Sequence, residues 1–256
     1  MAESAAKKPR LSTLQPWVTD ALAETLQTRS GIPDIERFIF KAEDVTRDIG
    51  VAQKAAATLE KEGIVLIPGA LNSGQIADFH QVFPQLVAQI RKYDPDDKGS
   101  RGEKRHSFGG MSSTNSQLHR AEFRALIDIP AVTDVLESYW ESKDFAVKAG
   151  GGDLNMAGSR QHQMLHSDLS TSKQLGPSSR FGSSVKAPML AVNYLIEEQT
   201  VFNGPLQHIP GTQLLNGHYI PEVPQEPEHW FFSTMCPAPA GTAVIRDVRT
   251  GSRNAK

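Results

Sequence analysis

A chain of 256 residues with 39% apolar content can build one large hydrophobic core, or two small ones, and is neither disordered throughout nor collagen-like. Its 27 Lys and Arg against 29 Asp and Glu leave a formal charge of −2, which excludes a globally basic nucleic-acid binder. A single cysteine, Cys236, excludes an internal disulfide framework, and no apolar run reaches the roughly 18–20 residues of a membrane span. With no hydrophobic signal core at the N-terminus, the expectation is a soluble cytoplasmic protein without nucleic-acid or membrane partners.

Residues 1–30 are mixed polar and read as a flexible N-terminal segment, which leaves 31–256 as the folded domain. Alanines and charges over Val51–Lys61 predict a helix that Gly63 ends. Ile64–Ile67 is a short buried strand stopped by Pro68-Gly69. Asn72 or Ser73 caps a second helix whose apolar positions, Ile76, Phe79, Phe83, Leu86, Val87 and Ile90, share one face of a 3.6-residue period; Pro84 is expected to bend it. Residues 94–117, polar and basic with several glycines, read as a long loop, and Ala131–Ser142 as a further helix. Beyond it come short strand-like runs, Phe145–Lys148, His162–His166, Pro188–Ile196 and Thr242–Val248, between Gly, Pro, Asn and Ser turns. The Gly150-Gly151-Gly152 run reads as a bend between strands, since no phosphate-binding glycine spacing follows it. Helices in front and antiparallel-type strands behind predict an α+β fold, with the strands in a sandwich or barrel.

The sharpest chemical feature is Gln163-Met164-Leu165-His166-Ser167-Asp168. On a strand, His166 and Asp168 point to one face, where an imidazole nitrogen and a carboxylate oxygen can hold adjacent positions on a metal. Alone the pattern is weak: eight histidines, with roughly one Asp per twenty residues, give about 0.4 chance occurrences of His-x-Asp in such a chain. The context adds weight. Downstream stand Asn203-Gly204-Pro205-Leu206-Gln207-His208-Ile209-Pro210-Gly211 and then Ala240-Gly241-Thr242-Ala243-Val244-Ile245-Arg246-Asp247-Val248-Arg249-Thr250.

In this order and spacing, and with Glu62–Gly69 as an opening strand, these segments resemble the phytanoyl-CoA dioxygenase (PhyH) family of Fe(II)/2-oxoglutarate-dependent oxygenases over roughly residues 50–250. The resemblance implies a double-stranded β-helix (jelly-roll) core flanked by N-terminal helices. It also implies Fe(II) and 2-oxoglutarate as cofactors, with O2 and a small-molecule or acyl substrate as partners. His166 and Asp168 would be two iron ligands, Asn193 would face 2-oxoglutarate, and Gln163 would hydrogen-bond near the site. Asn203-Gly204-Pro205 and Pro210-Gly211 would be turns between core strands.

The chain departs from the family after Thr250. Where the family continues into Trp-His-Gly-Gly, whose His is the third ligand, this sequence reads Gly251-Ser252-Arg253-Asn254-Ala255-Lys256, with Ser252 in the histidine's place. A hydroxyl is a poor Fe(II) ligand beside neutral imidazole. The Arg that binds the far carboxylate of 2-oxoglutarate is not found, so truncation with loss of the last core strands is expected. His106, His208, His218 and His229 are read as surface or turn residues. The alternative is a catalytically inactive double-stranded β-helix protein with a binding role. A cupin-like metal enzyme that recruits His162 is a more distant one.

Overall fold

The computed structural model describes residues 35–159 except Met111 and Ser113, then 163, 166–168, 186–200, 202–214, 234–250 and 252–254. The N-terminal segment 1–30, most of the run His162–His166, and His218 and His229 lie outside these residues. In chain order the helices and strands are α1 (Ala42–Arg47), α2 (Ile49–Glu62), β1 (Ile64–Ile67), α3 (Ser73–Tyr93), β2 (Arg105–Gly109), α4 (Ala121–Ala125) and α5 (Pro130–Trp140). They are followed by β3 (Gly151–Asn155), β4 (Leu190–Tyr194), β5 (Leu206–His208), β6 (Thr234–Cys236), β7 (Ala243–Asp247) and β8 (Ser252–Asn254). Among the described residues the strands form three antiparallel sheets, ordered β1-β7-β4, β2-β3 and β6-β5-β8. The fold is α+β with antiparallel sheets.

The helices form for local reasons. The Asp48 side chain accepts from Gly50 N–H at the start of α2, and Gly63 ends that helix in the left-handed conformation at φ 77°. Asn72 and Gln75 close a reciprocal capping box at the start of α3, with bonds of 2.9 and 3.0 Å. α3 continues through Pro84 to Tyr93, burying Phe79, Val82, Leu86 and Ile90. Pro130 opens α5 at the one place where a missing N–H costs nothing.

The sheet β1-β7-β4 separates two apolar layers because strand side chains alternate in direction. Val65, Ile67, Ala243 and Ile245 pack with α1, α2 and α5 through Val45, Leu59, Val132, Val135 and Tyr139. Ile64, Leu66 and Val244 turn the other way, against Phe38, Leu195, Cys236 and Ala238. Each fully buried aliphatic side chain contributes about 1.5–3 kcal/mol relative to exposure, so burial on both faces makes β1 and β7 the most secured strands of the described fold.

The long loop expected over 94–117 contains β2, paired with β3 in the register Phe108↔Gly152 and Gly109↔Gly151. The glycines expected to bend the chain at 150–152 instead begin a strand, and Phe145–Lys148 is not one. The reason is close approach. A Cβ at Gly151 would sit 2.4 Å from the Phe108 carbonyl oxygen, and one at Gly152 would sit 2.6 Å from the Phe108 ring. Phe108 also joins Phe79, Phe83 and Phe123 in a cluster of tilted and edge-on rings, with centroids 5.1–6.2 Å apart, which fastens the β2-β3 sheet to α3 and α4.

Two histidines expected at the surface are buried. His106 on β2 has Nε2 2.7 Å from Asp97 Oδ1, with Asp94 3.7 Å from Nδ1. His208 on β5 is fully buried, and its Nε2 donates to the Glu62 carbonyl at 3.3 Å. In both cases long-range pairing creates a polar partner that local sequence does not reveal.

Candidate active site

The site assembles on the face of the central sheet turned away from α1, α2 and α5. β7 alternates strictly, so Arg246 follows Val244 onto that face while Ile245 and Asp247 point to the helix side. Arg246 stands opposite Ala191 on β4, which places Asn193 diagonally beside it on the same face. The Arg246 Nε donates to Asn193 Oδ1 at 3.4 Å, and its Nη2 is 2.6 Å from Asp168 Oδ2. The other oxygen of Asp168, Oδ1, lies 3.3 Å from His166 Nε2.

A second line of contacts arrives from the β2-β3 sheet. Gln163 Nε2 is 3.3 Å from His166 Nε2, and Gln163 Oε1 accepts from Arg105 Nη2 at 3.1 Å. Arg105 is buried and ion-paired with Asp153 on β3. Asp153 also accepts from Ser107 Oγ at 2.8 Å, and Ser107 Oγ accepts from Arg101 Nε at 2.8 Å. Because Arg105 donates only, it fixes which end of the Gln163 amide faces the histidine.

Burial alone would raise the carboxyl of Asp168. The hydrogen bond with His166 and the charge and hydrogen bond of Arg246 outweigh it and hold the group far below the usual carboxylate range. The aspartate is therefore ionised at any physiological pH, as a metal ligand must be.

The pair fits two adjacent positions on an octahedral ion. Two donors each about 2.1 Å from a metal and at right angles to one another are about 3.0 Å apart, close to the 3.3 Å found. Arg246 occupies Oδ2 and leaves Oδ1 toward His166. Among the described residues no group of three His, Cys, Asp or Glu can hold a metal, so neither His106 nor His208 joins this pair. Ser252 on β8 has the buried His208 as its backbone partner on β5.

The structure thus brings Gln163, His166 and Asp168 together and reaches Asn193 through Arg246. Gly204 and Gly211 both adopt positive φ, 86° and 78°, at the turns that bracket β5. Sequence reasoning gave no role to Arg246, and Arg105 entered it only as part of a basic loop, with Arg101 and Lys104, that could bind an acidic substrate or 2-oxoglutarate but reads first as solvated. For Arg246 a signal was present: it follows Val244 on one alternation of a strand that is apolar up to that point, and a charge there calls for a partner. For the contact of Arg105 with Gln163 there was none, because its neighbours come from β3 and from position 163.

The family model for phytanoyl-CoA dioxygenase (PhyH) matches residues 59–250, from the C-terminal half of α2 past the end of β7, including every residue of this site. The chain belongs to the PhyH family. No curated protein matches it. Among solved structures this family member is similar in fold to the epimerase SnoN in complex with Fe3+, alpha ketoglutarate and nogalamycin RO. The identity is 19% and the TM-score 0.51, over 81% of this chain and 78% of SnoN. It is also similar to EctD from S. alaskensis with 2-oxoglutarate and 5-hydroxyectoine, at 18% identity and TM-score 0.53, over 78% of this chain and 68% of EctD. The apoform of EctD gives 18% identity and a TM-score of 0.52.

Proposed function

We propose that this PhyH-family protein is an Fe(II)/2-oxoglutarate-dependent dioxygenase acting on a small-molecule or acyl substrate, with residues 31–256 forming its double-stranded β-helix domain. The observation that carries the reading is the juxtaposition of His166 Nε2 and Asp168 Oδ1 at 3.3 Å, with the second carboxylate oxygen engaged by Arg246. Family membership supports it, and so do the Fe3+ and alpha ketoglutarate named for SnoN and the 2-oxoglutarate named for EctD.

In this reading His166 and Asp168 hold the metal. The chemistry supplied at such a centre is O2-dependent oxidation of a substrate coupled to decarboxylation of 2-oxoglutarate. The chain's own part is positional. His166 must present Nε2 as a lone pair, so its proton belongs on Nδ1. The Gln163 amide, oriented by Arg105, faces that same Nε2, so this contact would give way when the nitrogen takes a metal. Asn193 lies on the same face as Arg246 and marks where 2-oxoglutarate would approach.

A second reading, a binding protein without redox chemistry, is favoured by one observation: the described residues contain no third His, Cys, Asp or Glu beside the pair. An anaerobic titration with Fe(II) and 2-oxoglutarate separates the two. The visible charge-transfer band of chelated 2-oxoglutarate is expected in the wild type and absent in His166→Ala. A folded wild-type protein that gives no band supports the binding reading.

A further inference from the structure

We propose that Asn203 is a deamidation site gated by its own turn. Closed, the turn holds the Asn203 side-chain amide away from the Gly204 nitrogen; open, it lets the two react, and the product does not close the turn as before. Metal binding plays no part in this, and the site lies in the Asn203-Gly204-Pro205 turn that leads into β5.

The chemistry needs only the chain and water. The backbone nitrogen of Gly204 attacks Cγ of Asn203, a C–N bond forms, and the side-chain nitrogen leaves as ammonia with the proton of the attacking N–H. Water then opens the five-membered imide at either carbonyl. One opening leaves aspartate, and the other leaves isoaspartate, whose main chain is longer by one carbon. Nothing is oxidised or reduced. Glycine is the residue best suited to the attack, because no side chain screens its nitrogen.

The structure restrains this pair at both ends of the amide. Asn203 Oδ1 accepts from Thr200 N–H at 2.7 Å, and Nδ2 donates to the Glu198 carbonyl at 2.8 Å. Turning the face of the amide toward the Gly204 nitrogen breaks both bonds. The turn is also fastened to its surroundings: Asn203 N–H donates to the Thr200 carbonyl at 3.3 Å, and Gln199 and Ala238 exchange backbone bonds of 2.9 Å each. Asn203 itself is exposed, so the water of the second step has access. The fold nevertheless requires both labile residues. Gly204 has φ 86°, which a side chain disfavours, and a carboxylate at 203 would turn an oxygen, not a donor, to the Glu198 carbonyl. An added main-chain carbon at 203 would be passed on to β5, the middle strand of its sheet.

The test incubates wild-type protein, folded and unfolded in urea, in mildly alkaline buffer and follows the amide-to-acid mass change at Asn203 by peptide mass spectrometry. Two hydrogen bonds to break predict a rate about 10–100-fold lower in the folded protein. Thr200→Pro suits the extended backbone of Gln199 but removes the N–H that holds Oδ1, so the folded variant should deamidate faster than the folded wild type. Asn203→Asp, which reproduces one product, should melt about 2–4 °C lower than the wild type. Circular dichroism checks the folding of each variant.

Equal rates in folded and unfolded wild type overturn the inference. So does an Asn203 that stays intact in urea while Asn216-Gly217, the second such pair in the chain, reacts in the same digest. An unchanged rate in folded Thr200→Pro shows that these bonds are not the gate, and an Asn203→Asp protein that melts with the wild type shows that the product closes the turn normally; either result overturns it. If Thr200→Pro does not fold, low urea on the wild type decides. Opening a turn exposes little surface, so the rate should stay nearly flat below the unfolding transition. A rate that climbs with the unfolded fraction assigns the gate to global unfolding and overturns the inference.

Discussion

Two Asp–Arg pairs begin from neighbouring residues of β7 and serve opposite ends. Asp247 faces the helix side and pairs with Arg249, two residues on. Arg249 donates to Asp247 Oδ1 through its N–H and Nε at 2.9 Å each, and to Oδ2 through Nη2 at 2.6 Å and Nε at 3.2 Å. Both side chains are at most 5% exposed. Arg246 faces the other way and pairs with Asp168, distant in sequence and 38% exposed, whose Oδ1 is turned toward an imidazole. The first carboxylate has both oxygens held by Arg249. The second keeps one oxygen directed at a group that binds metals. A single step along a strand thus separates an ion pair buried within the helix side from one that reaches a histidine on the opposite face.

The comparison is broken or sharpened most strongly at Asp247. Asp247→Ala leaves the Arg249 charge buried without its carboxylate and is expected to cost about 3–5 kcal/mol, read from urea denaturation. A cost under about 1 kcal/mol would mean that the two pairs do not differ in kind.

A smaller effect is expected next to that pair, at Tyr139. Its hydroxyl accepts from Ala187 N–H at 2.7 Å, and burial pushes it up to about 12, above the ordinary value near 10. Because the folded state resists forming the phenolate, this contribution is fully present below about pH 10 and is lost as pH rises from about 10 to about 12. Tyr139→Phe leaves the Ala187 N–H without its acceptor and should cost about 1–3 kcal/mol at neutral pH. It should also flatten the decline of stability in that alkaline window, followed by denaturant midpoints at successive pH values. An unchanged alkaline decline in the variant would assign it to another group.

The smallest stability change is expected at Asp168. Asp168→Ala opens a partly exposed pair and should cost about 1 kcal/mol or less in the metal-free protein, while removing the Fe(II)-dependent band entirely. Loss of stability comparable to that of Asp247→Ala would place Asp168 among the structural residues.

Much of this was legible in the chain. Gly63 after an alanine-rich run marked the end of α2, Asn72 or Ser73 marked the start of α3, and Ile64–Ile67 read as the buried strand it is. Such signals are local: a cap, a period or a left-handed glycine acts within a turn of its own residue. The strand β3 was not legible, because nothing in Gly151-Gly152-Asp153 favours extended backbone until Phe108 arrives from β2 to fill the space its missing side chains leave. The burial of His106 was hidden for the same reason, since Asp94 and Asp97 become its partners only when the segment folds back.

The amino-acid order by itself determined the end of α2 and the start of α3, the buried apolar run of β1, and the His-x-Asp pair with its family context, because each rests on residues a few positions apart. Only the tertiary structure decided which face of the sheet carries the site, that Arg246 and not Asn193 reaches the aspartate, and that Arg105 reaches toward the imidazole through Gln163. Those outcomes depend on strand register across long stretches of chain. A one-residue slip in the pairing of β4 with β7 would send Asn193 to the helix side, away from Arg246.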